Sequence, residues 1–494
     1  MRKLNDGLFS RGNCVNFMQS ATGKVVHLAR ISLAAASMMI TGQFFTTAMA
    51  ADFWDIYQQA LENDSIYRAA SFEYESAKLA LPLSETNFSP SIVSNASIGK
   101  ARSDASGDSV TGDSSAVDLN FGLPLYNRTD RIGVRQAQLA VASAELNFAN
   151  ARDDLILRVA DRYFNLLSAV DSLEVARLEK VAIKRQMDLA DERLDVGLGT
   201  RTDLFDAKAR FEQAKADEIQ AQIIINNAVQ ALKQIIGDTP PGLAGLAADA
   251  PLELPSPNNL AHWIGQARRN NLLLQVEQVN VLIANEEIEK QRVAKSPTVS
   301  LNANHRWSES PSSFNTGSST TSTISVDLSL PLYLGGATRL RTRQAGFDYN
   351  AAEQALENRR RQVASDTTSA FLEVTSGVSQ VNALAEAIRA GENALQAKEE
   401  GFSAGLTTNL DVLDAQRDLS RSRSNYLRAR YNHILSILRL ARFSGQLGEQ
   451  TVKRVNRWLD PNNIADKLSN RSSTSPDRLS NRFDLAFRQS IRNS

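Results

Sequence analysis

The chain has 494 residues, and its 55 basic and 55 acidic side chains give a formal net charge of zero. A net charge of zero argues against nucleic acid as the main partner, because phosphate binding requires a basic face. The one cysteine, Cys14, excludes an intrachain disulfide, and the low aromatic content of 6% favours long packed helices over a thick mixed core.

The start of the chain has the features of an export signal. Basic residues precede an apolar run over residues 31–45, and small residues suited to cleavage come just before Ala51. A membrane anchor is the alternative, but the run is short for a bilayer span and polar residues interrupt it. We therefore predict a signal peptide over residues 1–50, with Met1 and Met18 both open as the start of translation.

The rest of the sequence repeats itself at a spacing of about 207 to 208 residues, which indicates duplication of a whole structural unit. The clearest repeated segments are Leu123-Pro-Leu-Tyr126 with Leu330-Pro-Leu-Tyr333, and Val196-Gly-Leu-Gly199 with Ala404-Gly-Leu-Thr407. We predict a first repeat over residues 51–257, ending in a loop-rich join, and a second over 258–444. Periodicity fades in the tail at 445–494, which we expect to be partly disordered.

Each repeat is predicted to open with one helical segment, over residues 52–86 and 258–294, followed by a β-hairpin. The strands are indicated by apolar residues alternating with polar ones over residues 116–125, 299–307 and 324–332, with a weaker pattern at 92–98. Segments rich in Ser, Gly and Asp, at residues 103–115 and 308–322, predict the hairpin turns.

Alternating strands of about ten residues in an exported protein have two interpretations. In a soluble β-sandwich one face packs and the other is wet, whereas in a transmembrane sheet the apolar face contacts lipid. The pattern alone does not decide between them. Because lipid does not tolerate an open sheet edge, the membrane interpretation requires that several chains close one barrel.

Long helices follow each hairpin. No proline occurs between Pro124 and Pro240 or between Pro331 and Pro461, and apolar residues recur at helical spacing throughout. Residues 128–196 as one helix would reach roughly 100 Å. Such a length is far above that of globular helices and predicts a coiled-coil or tubular assembly in which each long helix turns back into a second one.

These motifs, in their doubled order over about residues 52–443, resemble the TolC family of outer-membrane efflux and secretion channels. Tyr57-Gln-Gln-Ala60 and Asp411-Val-Leu-Asp-Ala415 add to the resemblance, the latter being the most specific piece. The resemblance implies a homotrimer, mainly α with transmembrane β, in which one twelve-stranded barrel in the Gram-negative outer membrane continues into a periplasmic α-helical tunnel.

The resemblance also implies a function and partners. Such a tube passively gives the substrates of an inner-membrane pump, or of a type I secretion ABC transporter, an exit path, and a periplasmic adaptor protein joins the two. No catalytic constellation or metal-ligand spacing is visible in the sequence, so neither an enzyme nor a cofactor is expected. The alternative is a periplasmic coiled-coil scaffold with a small soluble β domain.

Candidate pore residues follow from the resemblance. Asp411 and Asp414 match acidic positions that ring the closed entrance, and Asp203 matches an aspartate that helps to lock it. Thr407 and Phe402 stand where the family has an arginine and a tyrosine, and Arg201 is a conceivable substitute for the arginine. Capping is an alternative role, because Thr-x-x-Asp at residues 200–203 and 408–411 is the pattern of a helix capping box.

The resemblance also implies where the adaptor binds, which is at the two turns between the long helices, at Gly197, Leu198, Gly405 and Leu406. The simple alternative for the glycines is helix C-capping, since a C-cap requires a backbone conformation that other residues resist. Both roles are compatible, because an exposed leucine beside a capping glycine offers an apolar contact.

Overall fold

The structure, a computed structural model, describes residues 50–105, 108–240, 242–310 and 317–465. The predicted signal peptide up to residue 49 and the tail beyond residue 465 lie outside these residues. None of the described helices is both long enough and apolar enough to cross a membrane.

The described elements follow the duplicated order helix, hairpin, long helix, returning helix. The first repeat contains α1 (Phe53–Asn63), α2 (Ser65–Lys78), α3 (Ala80–Glu85), a 3-10 turn (Thr86–Phe88), β1 (Ser91–Ala105), β2 (Asp108–Tyr126), α4 (Arg128–Asp195), α5 (Arg201–Ile236) and β3 (Leu243–Leu246). The second contains α6 (Leu260–Asn270), α7 (Leu272–Val293), β4 (Thr298–Ser310), β5 (Gly317–Ser329), α8 (Ala337–Ser403) and α9 (Asn409–Phe443). The tail adds α10 (Glu449–Asn456) and β6 (Leu459–Ala465).

The prediction of one opening helix in each repeat was wrong, because N-capping residues interrupt both. The Asp64 carboxylate accepts the Tyr67 backbone N–H at 2.7 Å and starts α2. The Asn271 side chain accepts the Leu274 N–H at 3.1 Å and starts α7. A side chain that satisfies a free N–H of the next helix favours a break, even where the apolar period continues.

Both predicted hairpins are confirmed, but the strands extend further into the polar segments than expected. Backbone pairing continues out to Ala105 opposite Asp108 and to Ser310 opposite Gly317. Ser, Thr and Asp suit turns, but a ladder of backbone hydrogen bonds can propagate past them once its register is set. At its other end β5 stops at Ser329 and not near residue 332, since Pro331 offers no N–H to the ladder.

The four strands form one antiparallel sheet in the order β1-β2-β4-β5, with one apolar and one polar face. The apolar face carries Ile92, Val117, Leu119, Phe121, Leu301, Trp307, Ile324, Val326 and Leu328. Ile324 is 80% exposed and Leu328 69% exposed, so this face is not packed as it would be in a sandwich. On the polar face, side-chain hydrogen bonds cross the strands from Asn95 to Asp118 and from Asn304 to Asn120, each at 2.8 Å.

The helices form a wall whose two free edges match those of the sheet. Next to the sheet, α2 and α3 pack on α4, α4 packs on α7, and α7 packs on α8. Toward the far turns the order is α5, α4, α9, α8. The helix α8 is therefore one edge throughout, and the other edge is formed by α2 and α3 near the sheet and by α5 near the turns.

The main core lies midway along the wall, where α1, α4, α9 and the small β3–β6 sheet meet. Phe53, Tyr163 and Phe164 are fully buried there, with ring centroids 5.4–5.7 Å apart. The Tyr163 hydroxyl donates to the Ala244 carbonyl at 2.7 Å and so satisfies its polar end. This core fixes the long helices at their middle and leaves their ends to form the sheet junction and the turns.

Candidate pore entrance

The two turns that reverse the long helices have the same backbone geometry. Gly197 and Gly405 have φ of +74° and +72°, a left-handed conformation that favours glycine. In the first turn the Leu198 N–H donates to the Arg193 carbonyl, and in the second the Leu406 N–H donates to the Gly401 carbonyl, both at 2.8 Å. Both glycines therefore serve as helix C-caps.

Each turn exposes one leucine. Leu198 is 76% exposed and Leu406 is 83% exposed, although both lie in tightly hydrogen-bonded turns. A large apolar side chain held in water by a rigid backbone is available for a partner at little cost in conformational entropy. The C-capping role of the glycines thus coexists with the contact predicted for the leucines.

The helices that follow the turns begin with two capping boxes. The Asp203 N–H donates to Thr200 Oγ1 at 3.1 Å, and the Thr200 N–H donates to the Asp203 carboxylate at 3.2 Å. Thr408 and Asp411 make the same pair of bonds, at 3.2 and 3.0 Å. Capping therefore accounts for the positions of Asp203 and Asp411, and a pore role for either would be additional.

Asp411 is held firmly in its ionised form. The Thr408 side chain, then the Thr408 backbone N–H and then the Lys398 ammonium donate hydrogen bonds that lower the pKa of Asp411 to about 2. The Lys398 Nζ lies 3.2 Å from the Asp411 carboxylate. Asp411 is consequently ionised at neutral pH.

Asp414 lies one turn further along α9 and connects two helices. Its carboxylate accepts a hydrogen bond from Arg210 of α5 at 3.0 Å, and Arg417 Nη2 lies 3.6 Å away. Its side chain remains 42% exposed, so it still faces water. Within one chain the charge of Asp414 is thus partly compensated by the two arginines.

The remaining candidates occupy different places around the turns. Thr407 lies in the turn between α8 and α9, and its hydroxyl donates to the Lys398 carbonyl of α8 at 3.0 Å. Arg201 is exposed at the first position of α5. The arginine that reaches Phe402 is Arg193 of α4, whose guanidinium carbon lies 4.5 Å from the centre of the Phe402 ring.

Sequence reasoning missed Arg193, Asn409 and Gln186. Asn409 is 1% exposed, accepts a hydrogen bond from Gln186 at 2.6 Å and donates one to the Asp203 carbonyl at 3.2 Å. These contacts join residues that are 206 to 223 positions apart. Each contact joins a residue of the first repeat to one of the second, so no local pattern in the sequence indicates it.

The interactions around the two turns are helix caps, ion pairs and apolar contacts. Across the described ranges, no group of three or more His, Cys, Asp and Glu side chains converges as a metal-ligand set. The three helices α4, α5 and α9 meet in a small core near the turns, built on Ile183, Ala190, Ala207, Ala214 and Leu413. An amphipathic sheet at one end and capped, charged turns at the other are typical of a channel protein that extends beyond its membrane.

The comparisons with known proteins give the family. The model of the outer membrane efflux protein family matches residues 56–238 and 263–446, which is one match in each repeat. The chain belongs to this family. It is 32% identical over 425 residues to the outer membrane protein TolC of Vibrio cholerae, covering 85% of this chain and 96% of that protein.

A second relative and a solved structure agree with this assignment. The proteases secretion protein PrtF of Dickeya chrysanthemi is 26% identical, over 87% of this chain and 95% of the relative. The crystal structure of the Campylobacter jejuni CmeC outer membrane channel has a TM-score of 0.67 at 18% identity, covering 83% and 90% of the two chains. The predicted TolC-like fold of the single chain, mainly helical with a β domain, is thus confirmed.

Family membership also confirms the predicted location and general function. The protein is an outer-membrane exit channel of a Gram-negative cell, and its helices extend into the periplasm. Family members are channel proteins and not enzymes.

Proposed function

We propose that three copies of this chain close into one channel-tunnel, which gives the substrates of an inner-membrane pump or a type I secretion system a path across the periplasm and the outer membrane. The observation that carries this proposal is the pair of free edges on the wall and sheet. Strands β1 and β5 are both edge strands, and the exposed apolar face between them suits lipid. Pairing β5 of one copy with β1 of the next satisfies the edges.

The helical edges carry matching apolar surfaces. On one edge the exposed apolar residues are Ile66, Phe72, Leu79 and Leu83 of the α2–α3 region and Phe205, Ile219 and Ile223 of α5. On the other edge they are Leu340, Phe347 and Leu372 of α8. Closure would bury both surfaces, since α8 of one copy would lie against α2, α3 and α5 of the next. A second copy is thus the occupant that fits these surfaces.

The strand number favours three copies over two. Each chain contributes the four strands β1, β2, β4 and β5. A barrel of about eight strands has an interior that side chains can fill, whereas wider barrels leave an aqueous path. Two copies would give about eight strands, whose interior side chains can fill, and three copies give about twelve. Three is therefore the smallest number of copies whose barrel would leave an aqueous path. The resemblance to the TolC family implies the same number.

The dimensions of the sheet suit an outer membrane. On β2 the apolar alternation runs over residues 117–125, about nine residues, which matches the 9–11 residues of a tilted transmembrane strand. Beyond this band the same face becomes charged, with Lys100 opposite Asp113. The opposite face, linked by Asn and Asp side chains, would line a wet lumen.

The far turns would form the entrance. In a threefold assembly Asp411 and Asp414 would each contribute three carboxylates around the axis, which would favour cations and repel anions. Leu198 and Leu406 would meet the periplasmic adaptor. Adaptor binding would open the entrance by moving outward the helical turns that lie nearest the threefold axis.

The cargo of the channel is part of the proposal. PrtF bears the name of a protease secretion protein, and the family model that of an efflux protein, so both protein and small-molecule cargo have precedent among relatives. A deletion strain scored for dye accumulation and for its secreted proteins would distinguish the two.

The first test is the mass of the mature protein in mild detergent, corrected for bound detergent, together with its conductance in a planar bilayer. We expect a mass near three chains and discrete conductance steps. A single chain that stays soluble after detergent removal and conducts nothing would overturn the proposal and leave the periplasmic scaffold.

A further inference from the structure

The two turns are equivalent in the repeat but differ at one position. Arg193 in the first copy corresponds to Gly401 in the second, because each carbonyl accepts the N–H of the leucine in its turn at 2.8 Å. At Gly401 a side chain has no room, since a Cβ there would lie 2.9 Å from Thr407 Cγ2. In this conformation only the first turn has a side chain at this position.

The side chain of Arg193 extends to the second turn and contacts Phe402. Its guanidinium carbon lies 4.5 Å from the centre of the Phe402 ring, and its Nη1 donates to the Phe402 carbonyl at 3.2 Å. That carbonyl belongs to the last turn of α8 and also accepts the Gly405 N–H at 3.1 Å. A cation at a helix C-terminus is favoured by the helix dipole as well as by the ring face.

The backbone of Arg193 is fixed while its side chain makes this bridge. The Arg193 carbonyl accepts both the Leu198 N–H and the Gly199 N–H, at 2.8 and 2.9 Å. The Arg193 backbone is thus part of the first turn, whereas its guanidinium contacts the second turn. Any motion that carries the second turn away from the first must break the stacking contact and the hydrogen bond together.

We propose that Arg193 is the latch that holds the two entrance turns of each chain together in the closed channel. This inference rests on the proposed function, in which opening separates these turns. Arg193 acts on the position of α8 and α9 and need not touch the cargo.

The test compares Arg193→Ala with Arg185→Ala, a matched control on the same helix whose side chain is exposed about two turns earlier. Single-channel recordings in planar bilayers would measure the resting open fraction. Loss of this part-buried cation–π contact and its hydrogen bond is expected to raise that fraction about two- to five-fold per latch. Arg185→Ala should leave it at the wild-type value.

A second substitution separates a latch from a general structural role. Phe402→Leu keeps the backbone acceptor but removes the ring, so it should raise the open fraction less than Arg193→Ala. In the double variant the two effects should not add, because both remove the same contact. Assembled mass and melting temperature should stay at wild-type values in all three proteins.

The outcomes distinguish this inference from the proposed function. If the wild-type protein forms no channels, the proposed function fails, whatever the variants do. If it forms channels and Arg193→Ala has the wild-type open fraction, the latch is refuted while the channel stands. Additive effects of Arg193→Ala and Phe402→Leu would also refute it, since the two residues would then act separately.

Discussion

Asp153 on α4 offers a quantitative test of the packing around the main core. It is 5% exposed, and burial raises its pKa from 3.8 to about 6, although Arg152 and Arg442 act in the opposite direction. The folded protein therefore binds a proton more tightly than the unfolded chain does. Its contribution to stability is complete below about pH 4, declines as pH rises to about 6 and stays reduced above that.

Replacing Asp153 with Asn removes the charge at every pH. The pKa difference of about two units corresponds to about 3 kcal/mol per chain. We expect Asp153→Asn to exceed the wild type in unfolding free energy by up to about 3 kcal/mol at pH 8, and to gain little at pH 4. The gain at high pH arises because the wild-type carboxylate must ionise in a buried site.

Guanidinium unfolding in detergent, followed by circular dichroism at one fixed protein concentration, would measure this difference. Asp161→Asn is the control, because Asp161 lies on the same helix with its side chain 42% exposed and 3.8 Å from Arg162. Its effect should stay below about 1 kcal/mol at both pH values. A gap between Asp153→Asn and wild type that is equal at pH 4 and pH 8 would refute the reasoning.

Three further predictions concern the channel itself. Replacing Asp411 and Asp414 together with Ala should weaken block by multivalent cations in bilayer recordings, and unchanged block would remove both residues from the pore. Leu198→Asp should abolish co-purification with the adaptor while the assembled mass stays unchanged, because the turn backbone does not depend on this side chain. Ile324→Arg should reduce the yield of membrane-inserted protein, because an arginine on the lipid face costs about 2–4 kcal/mol. Thr323→Arg, on the polar face, should insert normally. Equal yields of the two variants would contradict the assigned faces.

Several features were within reach of the sequence because they depend on neighbouring residues. The absence of proline predicted α4 and α8, and Thr-x-x-Asp predicted the caps at Asp203 and Asp411. Alternation predicted the strand faces. Each follows from backbone geometry over a few residues, which the local sequence controls.

Local patterns failed where a competing interaction decided. Asp64 and Asn271 end the apolar periods that predicted single opening helices, because an N-cap outweighs continued helix there. In the hairpins, the serine-rich segments were predicted as turns. Pairing between β1 and β2 and between β4 and β5 keeps their described residues extended. Composition measures a local preference, whereas a ladder adds the hydrogen bonds of a neighbouring strand.

Tertiary structure alone decided how the two turns contact each other. The sequence by itself determined the duplicated channel fold and placed the two turns, since both follow from repeated local motifs. It did not show that Arg193 stacks on Phe402 or that Asn409 bonds to Asp203, because those contacts cross more than 200 positions. The sequence also did not predict the raised pKa of Asp153, because this shift depends on burial by helices that are distant in the chain. Such contacts exist only once the long helices have been brought side by side.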